Sequence, residues 1–126
     1  MITKSFKREL LQGIHASTDT FKVALFNSSA VLDENTTVYS ATNEITGTGY
    51  VAGGCTLAGA AVTNNASAGE LNFDAFTYTN CSIVARKALV YNSSKGNKAV
   101  AVIDYGVDSG VVGSGTFVVD VVIRIP

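Results

Sequence analysis

IVARKALVYNSSKGNKAVAVIDY, residues 83–105, sets two apolar runs rich in Val and Ile on either side of a polar loop. Residues 83–91 are apolar at both ends and carry Arg86 and Lys87 in the middle, so part of this strand faces solvent or a partner. Residues 92–98, NSSKGNK, read as a hairpin loop in which Gly96 can supply a left-handed turn. Residues 99–105 read as a buried strand. The stretch is a β-hairpin, and a chain organised around it is mainly β.

Working outward, the same punctuation recurs. FKVALF at 21–26 is strand-like and is introduced by the polar residues 17–20. Residues 27–37 form a polar loop, and Val38 and Tyr39 start a short strand or turn. Strands are expected at 54–62, where Cys55 and Leu57 alternate with small residues, and at 71–76, with a turn at 64–69 between them. Downstream of the hairpin, Asp104 opens a turn-rich stretch at 106–115. TFVVDVVIRI, 116–125, then closes the chain as an apolar strand able to pair at a sheet edge. About seven short strands at roughly ten-residue spacing predict a single-domain β-sandwich or barrel-like fold. No internal repeat of about 20–50 residues is present.

One helix is expected, over residues 3–12. Ile2, Phe6, Leu10 and Leu11 recur at spacings of three to four and form one apolar stripe. Thr3 can cap this helix and Gly13 suits its end, while Lys4, Lys7, Arg8 and Glu9 take the other face. A helix this short needs something to pack on. Residues 1–13 therefore either pack on the β domain of residues 14–126 or form an arm that docks on a neighbouring subunit.

Composition narrows the function. The chain has 126 residues, 47% of them apolar and 15% charged, against roughly a quarter charged in an average domain. Such a surface opposes association weakly. The net charge of −1 offers no field for nucleic acid or anionic lipid, and no basic run with interleaved aromatics exists. No segment approaches the ~20 apolar residues of a membrane span, and MITKSFKRELLQG lacks the apolar centre of a signal peptide. Synthesis in a cytosol is expected, with neither nucleic acid nor membrane as a partner.

No reaction site assembles. Gly47, Gly49 and Ala52 match a loose GxGxxA pattern, but Gly53 and Gly54 and strand-like residues follow it where a helix is required. These glycines read as tight turns with Tyr50 anchoring the loop. His15 is the only imidazole and, near Ser17 and Asp19 on an irregular segment, reads as a surface or capping residue. Cys55 and Cys81 have no zinc-type spacing and read as buried, reduced thiols. Asp74, Asp104, Asp108 and Asp120 are scattered. We expect no catalytic residue, cofactor or metal.

Three stretches carry a resemblance: DTFKVALFNSSA (19–30), NEITGTGYVAGGCTLAG (43–59) and ARKALVYNSSKGNKAVAVIDYG (85–106). In this order they resemble a family of small tailed-phage virion proteins encoded among head and structural genes. The resemblance implies a β-rich fold with an N-terminal helix and a structural role on the virion, and it brings no catalytic residues. Residues 106–115 look particular to this chain. The expectation is a capsid decoration or cement protein on the virion surface, assembled in the host bacterial cytoplasm. Its partners would be the major capsid protein and further copies of itself, a trimer being the arrangement that threefold lattice sites would suit. The expected contact residues are Ile2, Phe6, Leu10 and Leu11 of the arm, with Phe117, Val119, Val121 and Ile123 of the last strand. The alternatives are a neck or tail component, and a carbohydrate-binding module of a receptor-binding fibre that stacks sugars on Tyr39, Tyr50, Tyr78, Tyr91 and Tyr105.

Overall fold

The first helix is bounded by two caps that local chemistry dictates. In the structure, a computed structural model that describes residues 1–64 and 67–125, α1 spans Lys4–Leu11. The Thr3 hydroxyl accepts a hydrogen bond from the Phe6 N–H at 3.2 Å, as an N-cap does. At the other end Gly13 takes φ +71°. Its N–H donates to the Leu10 carbonyl and the Ile14 N–H to the Glu9 carbonyl, which is the paired bonding of a Schellman stop.

Eight elements follow in order: β1 (Phe21–Phe26), β2 (Cys55–Thr56), β3 (Ala61–Asn64), β4 (Gly69–Asn72), β5 (Phe76–Asn92), a 3₁₀ turn (Ser93–Lys95), β6 (Lys98–Val119) and β7 (Val122–Ile125). They form two antiparallel sheets, ordered β2-β1-β5-β6 and β3-β4-β7. The expected class, a small β-sandwich-like domain with one short helix, is what the chain adopts.

The long β5–β6 hairpin is the spine. Gly96 turns it in the left-handed region at φ +65°, as expected of NSSKGNK. β1 lies beside its closed end, pairing Phe21 with Asn92 through to Phe26 with Lys87. β1 is buried on both faces, which explains its unbroken apolar run. Phe21, Val23 and Leu25 face the main core, with Phe6, Ile83, Val90, Val100 and Val121. Ala24 and Phe26 face a second cluster with Leu89, Tyr91 and Val102. The loop after β1 covers that second cluster through Ala30, Leu32 and Tyr39. Lys87 Nζ donates to the Ala30 carbonyl at 2.9 Å, pinning the loop in place.

Several sequence boundaries shift for tertiary reasons. The strand expected at 54–62 is two, because β2 joins the large sheet and β3 the small one. The stretch 106–115 is strand with glycine bulges rather than a turn region. Between the Lys87–Asp104 and Ala85–Ser109 pairs, β5 has only Arg86 where β6 has Tyr105, Gly106, Val107 and Asp108. Between Ile83–Val111 and Cys81–Gly115, β5 has only Ser82 where β6 has Val112, Gly113 and Ser114. Extra residues in one strand are bulges, so the turn chemistry was absorbed inside a ladder. The strand expected at 116–125 breaks at Asp120 and Val121, where the chain leaves the large sheet for the small one. The tip of the turn expected at 64–69, residues 65 and 66, lies outside the described residues.

Candidate functional site

The central glycine block is organised by one carboxylate. Glu44 Oε1 accepts from the Tyr39 hydroxyl, and Oε2 accepts from the Tyr50 hydroxyl and, at 2.7 Å, from the Gly53 N–H. The Tyr50 oxygen in turn accepts from the Leu25 N–H at 2.9 Å. Tyr91 donates to the Gly53 carbonyl at 2.5 Å and stacks on Tyr39 with ring centroids 4.6 Å apart. Burial, then the bond to Glu44, pushes the Tyr39 and Tyr50 hydroxyls far above the ordinary phenol range, so both remain protonated donors. Tyr50 does anchor this loop, as its position in the sequence suggested.

The glycines of the block allow backbone to meet backbone. A Cβ on Gly54, which sits at φ +82°, would overlap the Val23 carbonyl, and one on Gly49 would lie 2.9 Å from Cys81 Cβ. Strand β2 follows Gly53 and Gly54 within the block, so the helix that a dinucleotide fingerprint places there is replaced by sheet.

His15 is the clearest correction. It is neither a surface residue nor a cap: its imidazole is 2% exposed. Nε2 lies 2.9 Å from Glu9 Oε1, and Nδ1 lies 2.9 Å from Asn92 Nδ2. Asn92 Oδ1 accepts from the Ser94 N–H, so its amide orientation is set. Its Nδ2 is therefore the donor to His15 Nδ1, and the Nε2–H points at Glu9. Asn92 Nδ2 also donates to Asp19 Oδ2 at 2.8 Å, and Lys95 Nζ donates to Asp19 Oδ1 at 2.8 Å. Lys95 above all, then Asn92 and the Ala16 N–H, hold the Asp19 carboxyl at about 2 despite its burial. This clasp ties α1 to the hairpin turn. Both ring nitrogens are engaged, which leaves the imidazole no free position as a base. Glu9, expected on the polar face with Lys4, Lys7 and Arg8, is buried instead, because His15 draws its carboxylate inward.

The expected contact residues separate into three groups. Phe6 is 3% exposed, Val119 and Val121 are 0% and Ile123 is 2%. These four belong to the chain's own core and are not a contact surface. Ile2, Leu10 and Phe117 are half-buried against that core. Leu11 is 92% exposed, because it follows Leu10 by about 100° and helix geometry turns it off the stripe. The first residues pack on their own domain: the Thr3 N–H donates to the Val100 carbonyl, and Met1 and Val102 exchange bonds.

What the sequence reading did not single out is the rest of β6. The outer edge from Ile103 to Val118 has no backbone ladder partner among the described residues. Val107 is 65% exposed, Val112 85% and Val118 55%. The turn-rich composition of 106–115 concealed this edge.

Cys55 and Cys81 are buried and unpaired with each other, and burial above all raises the Cys55 thiol. Among the described residues, no three His, Cys, Asp or Glu side chains converge as a metal would require, and no helix is long and apolar enough to cross a membrane. No family model, no curated protein and no solved structure matches the chain.

Proposed function

We propose that this chain is a structural protein of a tailed-phage virion, and that it decorates the capsid shell, holding neighbouring major capsid subunits together. The observation that supports this reading best is the open outer edge of β6 with its exposed valines. An unpaired strand edge lined with apolar side chains invites association, and a low-charge surface does little to oppose it. The ionisable groups support a non-catalytic role: His15, Glu9, Asp19 and Glu44 are all engaged in fastening loops. The resemblance of residues 19–30, 43–59 and 85–106 to small virion proteins supplies the setting.

The contact surface in this proposal is therefore β6, with Leu11 and the exposed parts of Ile2, Leu10 and Phe117 as lesser contributors. A sugar-binding role loses its platform, because none of the five tyrosines is exposed. The test is the copy number of the chain in purified particles, by quantitative mass spectrometry against the major capsid protein. A ratio of about one, or about one third, is expected for a shell lattice. A few copies per hundred capsid subunits would move the protein to a neck or tail ring, and its absence from particles would refute the virion reading. Val112→Lys should lower shell occupancy while leaving the fold intact.

A further inference from the structure

The core is not closed between α1 and the small sheet. A cavity of about 220 Å³ lies there, walled by Phe6, Leu10, Phe21, Val62, Leu71 and Ile123. It is a half-open pocket, apolar in its walls and exposed to solvent at Val62, Gly69 and Ile125. Gly69 lies two residues before Leu71 and so points to the same face of the small sheet. Its neighbours in register are Asn64 and Ile125. Among the described residues a Cβ on Gly69 would meet nothing within 4 Å, and its backbone is not left-handed. A side chain at position 69 would therefore extend into open space beside the pocket that Gly69 helps to line.

We propose that this cavity is a binding site for a small, neutral, apolar ligand: an aryl or alkyl group of about six to nine non-hydrogen atoms. The size follows from volume, since roughly 150 Å³ of enclosed apolar space accepts benzene and this pocket offers about 220 Å³. Neutrality follows from the charges at the lining. Glu70 is bonded by Arg124 at 2.7 Å, and His15 is held between Glu9 and Asn92. Among the described residues an ionised ligand finds no available counter-charge, and it would lose part of its hydration. Among the described residues of the lining, Ser17 contributes the one hydroxyl. Access lies past Val62 and Ile125, which are 68% and 37% exposed. The site is independent of the virion reading and stands or falls separately.

The test is a titration of the full chain with toluene, indole and 1-hexanol, followed by methyl NMR. Saturable shifts are expected at Leu10, Val62, Leu71, Ile123 and Ile125, with a dissociation constant on the order of 1 mM or tighter. Benzoate and hexylammonium should bind at least about tenfold more weakly. Gly69→Leu should fill the space and abolish the shifts while the rest of the amide spectrum is retained. Wild-type shifts that do not saturate, or that map elsewhere, would overturn the proposal. So would a folded Gly69→Leu protein that binds like the wild type. Should Gly69→Leu not fold, Val62→Phe at the mouth replaces it: weakened binding supports the site, and unchanged binding overturns it.

Discussion

Replacing Glu44 by Gln tests whether one carboxylate fastens the central glycine block. The substitution keeps the shape and removes the charge. Oε2 of Glu44 accepts from the Tyr50 hydroxyl and the Gly53 N–H, and Oε1 accepts from the Tyr39 hydroxyl. The best-fitting amide places its oxygen where Oε2 stands. The Tyr39 hydroxyl must then rotate to accept from the new NH₂. Charge-assisted bonds contribute about 1.5–3 kcal/mol each and neutral ones about 0.5–1.5. Losing charge assistance in two or three bonds costs about 2 kcal/mol, with a range of about 1–3. For a chain of 126 residues, with an unfolding entropy of roughly 2.1 cal/mol/K per residue, that lowers Tm by about 8 °C. Glu44→Ala leaves the Gly53 N–H without an acceptor as well and should cost about 3–5 kcal/mol. Urea unfolding of the wild type, both variants, Tyr50→Phe and the Glu44→Gln/Tyr50→Phe double variant closes the cycle. A coupling energy of at least about 0.5 kcal/mol is expected for groups in direct contact. A Glu44→Gln protein within about 0.5 kcal/mol of wild type, with additive double-variant energies, would refute the account of the loop.

Further outcomes follow from the same geometry. Gly54→Ala drives a Cβ into the Val23 carbonyl at positive φ and should destabilise by about 3 kcal/mol or more, whereas Gly106→Ala, at φ +77° in open space, should cost only about 1 kcal/mol; equal effects in urea unfolding would contradict this reading of the glycines. Asp19 is held at about 2 in the fold against an ordinary 3.8, so its contribution is complete above the ordinary value and disappears as pH falls from about 4 to about 2. With Lys95 partly exposed, that contribution is about 1–2 kcal/mol. The pH dependence of unfolding should accordingly flatten in Lys95→Met over that window. Thr3→Ala removes a buried cap and the hydroxyl's 3.3 Å bonds to the Ala99 and Val100 carbonyls. It should cost about 1–2 kcal/mol, measured by thermal unfolding, and should make the amide of Phe6 exchange faster.

What the sequence by itself determined is whatever depends on neighbours along the chain. The caps at Thr3 and Gly13, the left-handed Gly96 and the limits of β1 depend on local backbone sterics and apolar period, so they were legible. The Tyr50 anchor was legible as a residue among glycines, though not its partner. Tertiary structure decided what depends on distant partners. Residue identity could not show that Glu9 turns inward, because its place is set by His15 and by Asn92, which lies on the far side of the domain in sequence. Residues 106–115 contain the glycines of turns, but pairing with β5 drew them into a bulged strand. The apolar runs at 2–11 and 117–123 predicted contact but not with what: α1 packed along β6 and the closing residues turned into the chain's own core, and burial there removed Phe6, Val119, Val121 and Ile123 from the surface. Hydrophobicity specifies that a face will be covered, whereas topology chooses what covers it.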